Sequence, residues 1–299
     1  MTIQVRTFQN KILKWYKKHG RHHLPWRITH DPYCILVSEV MLQQTQVDRV
    51  IEKYKEFIGK FPTIHILAHA QIEDVLRAWF GLGYNRRALF LQRAAKYIIE
   101  NFKGVFPQKV EDIEKLPGVG SYTARAVCAF AFNKPEIFIE TNIRRIYIHH
   151  FFSSTSSRVL ARDPDGMGRK MNDKKISDKD LIPIVEKTLY KKNPHLWYSA
   201  LMDYGSVEFK NILNPNKKSK HYSRQSKFEG SQRQARAYIL KNILAHGSAS
   251  LGDIQAWLKA RPSTKKHSSI SIVRRILKEM EQEGFLEVKR GKWVVKTQF

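Results

Sequence analysis

The nine residues Lys115-Leu116-Pro117-Gly118-Val119-Gly120-Ser121-Tyr122-Thr123 constrain the fold more than any other stretch of the chain. Val110, Ile113 and Leu116 precede them at a spacing of three. Pro117 stops that helix because it has no N–H to donate and its ring clashes with the turn before it. Beyond the stop, Ser121 is placed to cap a second helix carrying Ala124, Ala126, Val127, Ala129 and Phe130. Gly118 and Gly120 open backbone angles closed to other residues, so the N–H groups of Gly118, Val119 and Gly120 can turn together toward an anion at the positive end of that helix. A DNA phosphate fits this description, and so does the plainer one of a tight turn between two core helices.

The charge balance bears on that choice. The chain of 299 residues has room for two or three lobes, and its 53 Lys+Arg against 27 Asp+Glu give +26, the sign a polyanion attracts. Double-stranded DNA is the expected partner. A membrane surface is the competitor, but no long apolar run, cleavable signal or lipidation motif is found, so the expectation is a cytoplasmic protein with no membrane contact. Cys34 and Cys128, each in an apolar helical stretch, read as small buried residues. Two cysteines build neither a disulfide framework nor a thiolate cage.

Helical periodicity dominates. Phe8, Ile12, Trp15 and Tyr16 mark an amphipathic first helix, and Asp31-Pro32 opens a second that is apolar all round, with Ile35, Leu36, Val37, Val40, Met41 and Leu42. Glu39 sits in the middle of it. A carboxylate in such a setting costs several kcal/mol unless paired or protonated. It is either satisfied by a neighbouring helix start or arginine, or kept partly protonated as a general acid. Gln43-Gln44 close that helix, and Thr45 with Asp48 reads as a capping box for the next. Glutamines at an exposed joint can fill the gap left when a base leaves a duplex. At Gly81-Leu82-Gly83-Tyr84-Asn85-Arg86-Arg87, a tyrosine beside two arginines either wedges into a groove or caps a helix. A second carboxylate, Glu140, follows the apolar run Ile137-Phe138-Ile139 and precedes another helix, where a plain capping role is the alternative. Together the two carboxylates suit cleavage of an N-glycosidic bond, which needs a proton for the departing base and negative charge beside the sugar cation.

Residues 153–180 read as an insertion with few apolar positions. The stretch 214–228 interleaves Lys217, Lys218, Lys220 and Arg224 with Tyr222 and Phe228, either as a track for DNA phosphates or as a solvated linker. From about Gln232, three helical patterns and a strand pair around Arg290-Gly291 predict a winged helix, a fold that serves DNA contact and protein contact alike.

These segments together resemble the helix-hairpin-helix DNA glycosylases, and among them the adenine DNA glycosylases of the MutY type. The resemblance covers roughly residues 8 to 210. It rests on Leu24-Pro25-Trp26-Arg27, on Ser38-Glu39-Val40-Met41-Leu42-Gln43-Gln44-Thr45-Gln46-Val47, on Gly81-Leu82-Gly83-Tyr84, on Leu116-Pro117-Gly118-Val119-Gly120 and on Ala200-Leu201-Met202-Asp203-Tyr204-Gly205. It implies that Glu39 protonates the adenine and that Gln44 and Tyr84 intercalate near the opposite base. By the same match, Trp26, Arg27, Leu42 and Val47 line the base pocket, and Asn142 assists the catalytic carboxylate. Tyr122 stands where bifunctional relatives carry a Schiff-base lysine, which implies a monofunctional hydrolase without strong lyase activity.

The chain departs from that family in four places. Glu140 replaces an aspartate, and Ser199 stands where a glutamine or glutamate usually reads the adenine. The four-cysteine iron-sulfur loop has no counterpart. The winged-helix-like tail takes the place of the domain that inspects 8-oxoguanine. The expectation is therefore a mainly α, two-lobed helix-hairpin-helix glycosylase fold over 1–228 (28–134 as central lobe, 1–27 and 135–228 as second lobe), followed by a winged-helix-like α+β domain over 229–299. It would be a monomer acting on mismatched or damaged duplex DNA with no iron-sulfur cluster, a structural monovalent or divalent cation at the hairpin being compatible with it. Gln43, Gln44, Tyr84, Arg86 and the hairpin would contact DNA, and adenine opposite 8-oxoguanine or guanine would be the base removed. Thymine or uracil from T·G or U·G pairs is the rival substrate, and a lesion-binding protein that has lost catalysis is the rival class.

Overall fold

Apolar residues recurring at three and four turn most of the chain into helix, and the computed structural model describes residues 3–152, 175–210, 213–223 and 226–297. Arg224 and residues 153–174 of the expected insertion lie outside the described residues. In chain order the helices are α1 (Ile3–His19), α2 (Pro32–Leu42), α3 (Val47–Lys60), α4 (Ile64–His69), α5 (Ile72–Trp79), α6 (Arg86–Phe102) and α7 (Val110–Glu114). They continue as α8 (Ser121–Phe132), α9 (Thr141–Phe152), α10 (Asp178–Thr188), α11 (Pro194–Val207), α12 (Gln232–His246), α13 (Leu251–Ala260) and α14 (Ile270–Gln282). The strands are β1 (Ser248–Ala249), β2 (Leu286–Lys289) and β3 (Lys292–Val295). The chain divides into two compact units, residues 1–35, 108–111 and 120–224 forming one and residues 36–107, 112–119 and 225–299 the other.

The first unit is built on α11, which packs against α1, α8 and α9. Its Trp197, Tyr198, Ala200 and Leu201 are fully buried, and Phe8 of α1 meets Trp197 and Tyr147 edge-on. Gly205 brings α11 and α9 close together, since a Cβ there would lie 2.5 Å from the Asn142 carbonyl oxygen. Asn193 starts α11 by accepting from the Leu196 N–H, with Pro194 at the first helical position.

The second unit is built on α6, whose Ala88, Leu89, Leu91, Ala94, Ala95 and Ile98 are buried and which packs on α4 and α5. Its buried Gln92 ties it to the end of α4 by donating to the carbonyls of Leu67 and Ala70. The tail forms three helices and an antiparallel sheet of order β1-β3-β2 with Leu286 opposite Val295, the winged-helix arrangement expected from the sequence. Arg290 (φ 50°) and Gly291 (φ 74°) make its tight turn, both in the left-handed region that two-residue hairpins require. Arg77 of α5 and Arg93 of α6 donate to the carbonyls of Leu244 and Glu283, so the tail is anchored on the helices of its own unit.

Three local expectations are corrected. Helix α8 has Gly120, not Ser121, at its N-cap, and Ser121 instead accepts from Arg125 within the helix. Thr45 and Asp48 form no capping box, because α3 begins at Val47 with Gln46 as N-cap and the Thr45 hydroxyl is taken by Arg87. The expected insertion ends early. Ile176 pairs with Ser219, a Ser177–Asp180 capping box opens α10, and Asp178 takes two hydrogen bonds from Arg144.

Gly205→Ala is expected to push α11 off α9 and to cost about 1–3 kcal/mol, the usual range for overpacking. Urea unfolding checks it, and an unchanged midpoint would mean that the close approach is not needed.

Candidate active site

Glu140 and Asn142 come together in the first unit. The Glu140 Oε1 accepts from the backbone N–H groups of Asn142 (2.6 Å) and Ile143 (2.9 Å), and Oε2 accepts from Asn142 Nδ2 (3.3 Å). The carboxylate thus satisfies the free N–H groups at the start of α9, as a capping residue does, with an asparagine amide on its second oxygen. Burial raises its pKa, opposed by those backbone N–H bonds and by Arg145 and Arg144. Tyr122 on α8 lies edge-on to Phe138 (centroids 5.6 Å apart), which stacks on Tyr198 at 3.8 Å.

Trp26 and Arg27 occupy a 3₁₀ turn, Pro25–Arg27, in the same unit. Beside them is a charge cluster that local patterning did not reveal. Asp203, fully buried on α11, accepts from the backbone N–H, Nε and Nη2 of Arg21, and more distantly (3.5 Å) from Arg27 Nη2. Arg27 is nearly as buried, and its Nε and Nη1 have no hydrogen-bond partner among the described residues. Its guanidinium lies 5.7 Å from the Phe130 ring. Ser199, also buried on α11, faces the Tyr16 hydroxyl, whose pKa burial raises. The signal for Asp203 was in the sequence, since it interrupts the apolar run Ala200-Leu201-Met202 just as Glu39 interrupts its own. Lys217, Lys218 and Lys220 are exposed around the 3₁₀ turn Pro215–Lys218, which the Asn216 amide fastens to the Thr141 carbonyl.

Glu39 lies in the second unit, 6 % exposed, with Val40 and Met41 equally buried beside it on α2. Leu42 and Val47 are half-buried on either side of the joint between α2 and α3. That joint holds Gln43 and the exposed Gln44, whose φ of 56° is left-handed. Tyr84, at φ 46°, occupies a second left-handed turn. One half-buried side chain makes most of the links between the two turns. Arg87 Nη1 donates to the carbonyls of Val40 (2.7 Å), Met41 (3.1 Å) and Gln43 (2.5 Å), while Nη2 donates to Thr45 Oγ1 (3.1 Å) and to the Gly83 carbonyl (3.1 Å). Burial lowers its pKa to about 10, which still leaves it charged at neutral pH. Gln43, Gln44, Tyr84, Arg86, Gly118 and Val119 all line one cavity of this unit. Gly118 (φ 77°) admits no side chain, because a Cβ would lie 2.5 Å from that of Phe90.

No three His, Cys, Asp or Glu side chains gather into a metal-binding group among the described residues. Cys128 is buried and its thiol is pushed up to about 11 by burial and then by Glu136, which keeps it protonated. With only Cys34 beside it in the chain, the residues present do not fit a four-thiolate iron-sulfur cluster. No helix among the described residues is long and apolar enough to cross a membrane.

The helices and the glycine hairpin together give a mainly helical fold with a helix-hairpin-helix element. Residues 37–163 match the family model of the HhH-GPD superfamily base excision DNA repair protein. It is 34 % identical to the adenine DNA glycosylase of Buchnera aphidicola subsp. Acyrthosiphon pisum over 241 residues, covering 79 % of this chain and 63 % of that protein. It is 35 % identical over 181 residues to the human protein of the same name (57 % and 33 % covered) and 45 % identical over 136 residues to that of Mycobacterium tuberculosis (45 % and 44 %). The chain thus spans between a third and just under two thirds of the length of these relatives. Among solved structures, a thermostable thymine-DNA glycosylase is similar with a TM-score of 0.58 at 24 % identity, covering 73 % of this chain and 93 % of that one. Endonuclease III in a non-covalent complex with DNA is similar at 0.55 and 20 % identity, with 70 % and 88 % covered. These structural likenesses bear on the fold.

Asp203→Asn is expected to cost about 3–5 kcal/mol, because it leaves Arg21 and Arg27 without the carboxylate that neutralises them in a buried setting. Chemical denaturation of the two proteins measures this, and a loss below 1 kcal/mol would show the cluster to be solvated in solution.

Proposed function

We propose that the chain is a DNA glycosylase that removes adenine from mispairs with 8-oxoguanine or guanine in base excision repair. The observation that carries this reading is Glu39, a carboxyl group 6 % exposed on an apolar helix. It lies in a chain whose relatives at 34–45 % identity are named adenine DNA glycosylase. A net charge of +26 and structural neighbours bound to DNA support duplex DNA as the partner.

In this reading Trp26, Arg27, Leu42, Val47 and Ser199 are the side chains assigned to the flipped adenine. Arg27 carries two buried nitrogens, Nε and Nη1, without partners among the described residues, a costly arrangement that acceptors on a base would relieve. Glu39 delivers a proton to the departing base as the glycosidic bond lengthens. Glu140, aimed by Asn142 and the start of α9, supplies the negative charge that faces the sugar cation, and water then adds to that cation. Tyr122 has no amine with which to form a Schiff base, so the product is an intact abasic strand. Gln43, Gln44, Tyr84 and Arg86 hold the distorted duplex, with Gly118, Val119, Gly120 and the lysines at 217, 218 and 220 on its phosphates. The protein acts as a monomer, in the cytoplasm, on DNA.

Single-turnover release from duplexes containing A·8-oxoG, A·G, T·G, U·G and normal pairs tests the assignment. Adenine release is expected with strand scission only after alkali, and release of thymine or uracil alone would overturn it. Glu39→Gln should slow release by about 10² to 10⁴-fold, the usual worth of positioned proton transfer. A wild-type rate in that variant would remove Glu39 from the mechanism.

The pH dependence has a definite sign. Glu140 acts as an anion, so the rate falls as pH drops through its raised pKa, an acid limb starting above the ordinary carboxylate range. Glu140→Gln should be slow at every pH and lack that limb. An acid limb surviving in the variant would assign it to another group.

A further inference from the structure

The second unit holds a cavity of about 900 Å³, near the upper end of the roughly 300–1,000 Å³ range of small-ligand sites. One wall is formed by the Gln43–Gln44 joint, Tyr84 and the hairpin residue Gly118. The other belongs to the C-terminal segment, through Ser226, Phe228 and Arg233. Five arginines, at 49, 86, 87, 233 and 236, border it against one carboxylate, Glu283. Arg236 is engaged by Glu279 and Glu283, and Arg87 is spent on backbone carbonyls. Arg49, Arg86 and Arg233 have no carboxylate partner among the described residues. Two of these cations lie over rings at the cavity wall, Arg86 4.9 Å from the Phe90 centroid and Arg233 5.2 Å from that of Tyr84. Arg233 is also aimed: its Nη2 donates to Ser226 O (2.8 Å) and Oγ (3.0 Å), and its Nη1 donates to the Tyr84 hydroxyl.

Cations paired with flat aromatic faces, beside an apolar floor and a row of amides, match an occupant that is both anionic and planar. We propose that this cavity receives one nucleotide displaced from the stack of the bound duplex. Its phosphate would meet Arg233 and Arg86, and its base would lie against Tyr84 and Phe90. The inference rests on the DNA-binding part of the reading above. It makes the C-terminal segment a working part of duplex recognition and not a separate protein-contact module. Arg233 is already tied to the Tyr84 hydroxyl, so an entering phosphate exchanges one partner of a guanidinium held in place by Ser226.

The test uses the full chain and two duplexes of equal length, one fully paired and one with 2-aminopurine opposite a stable abasic analogue. Affinity is read by anisotropy and unstacking by 2-aminopurine fluorescence. Arg233→Ala is expected to weaken binding of the second duplex by about tenfold, with less than a twofold loss on the paired one, and to abolish the fluorescence rise seen with the wild type. Arg86→Ala, from the opposite wall, should do the same, which guards against misfolding of either variant. Arg233→Lys should recover part of the affinity by restoring the charge. Equal losses on the two duplexes, or none, would overturn the proposal. Base release by the wild type on the mismatch panel is scored separately. If no base is released while the Arg233 effect is present, the cavity stands and the glycosylase reading falls. If base is released and Arg233→Ala binds as the wild type does, the glycosylase reading stands and the cavity falls.

Discussion

The second unit depends on one half-buried guanidinium. Arg87 closes the last turn of α2 by taking up the carbonyls of Val40 and Met41, and reaches through Gln43 and Thr45 to the glycine turn at Gly83. The last four carbonyls of a helix have no partner within it, and burying them unpaired is expensive. One cation answers that need for two chain segments some forty residues apart, and it packs over the Trp79 ring at 5.3 Å. The positions that present Gln44 and Tyr84 follow from it. A lysine could not do this, because a single ammonium lacks the planar fork that addresses acceptors on both sides.

Elements that rest on local periodicity were legible in the sequence. The apolar helix around Glu39, the helix after the hairpin and the three helices and strand pair of the tail all follow from spacing three and four, or two, and from glycine and proline punctuation. Helix caps were less legible. Ser121 and Thr45 look like N-caps by residue type, but Arg125 and Arg87 claim their hydroxyls, and each helix begins one residue away from where the side chain alone would place it. Composition misled at 175–180, where a polar stretch is held by Arg144 from α9, a partner 34 residues earlier.

The same distinction runs through the candidate site. Glu39 and Glu140 stood out because a carboxylate in or after an apolar run demands an explanation. Asp203 met that criterion too and was not singled out. The Arg21–Asp203–Arg27 cluster joins residues more than 170 positions apart, and the Arg87 clamp joins two turns about forty apart. Such pairings depend on three-dimensional neighbours that no window of sequence contains. Both rely on arginine, which presents several donors at once.

The left-handed backbone at Gln44 and Tyr84 has a consequence for how this chain can change over evolutionary time. Non-glycine residues in that region each cost of order 1–3 kcal/mol, and glycine would remove the penalty at either position. A population selected only for thermal robustness would drift to glycine at both. One selected for what these side chains do would keep an amide and a phenol there despite the strain, so the two positions record which pressure has acted.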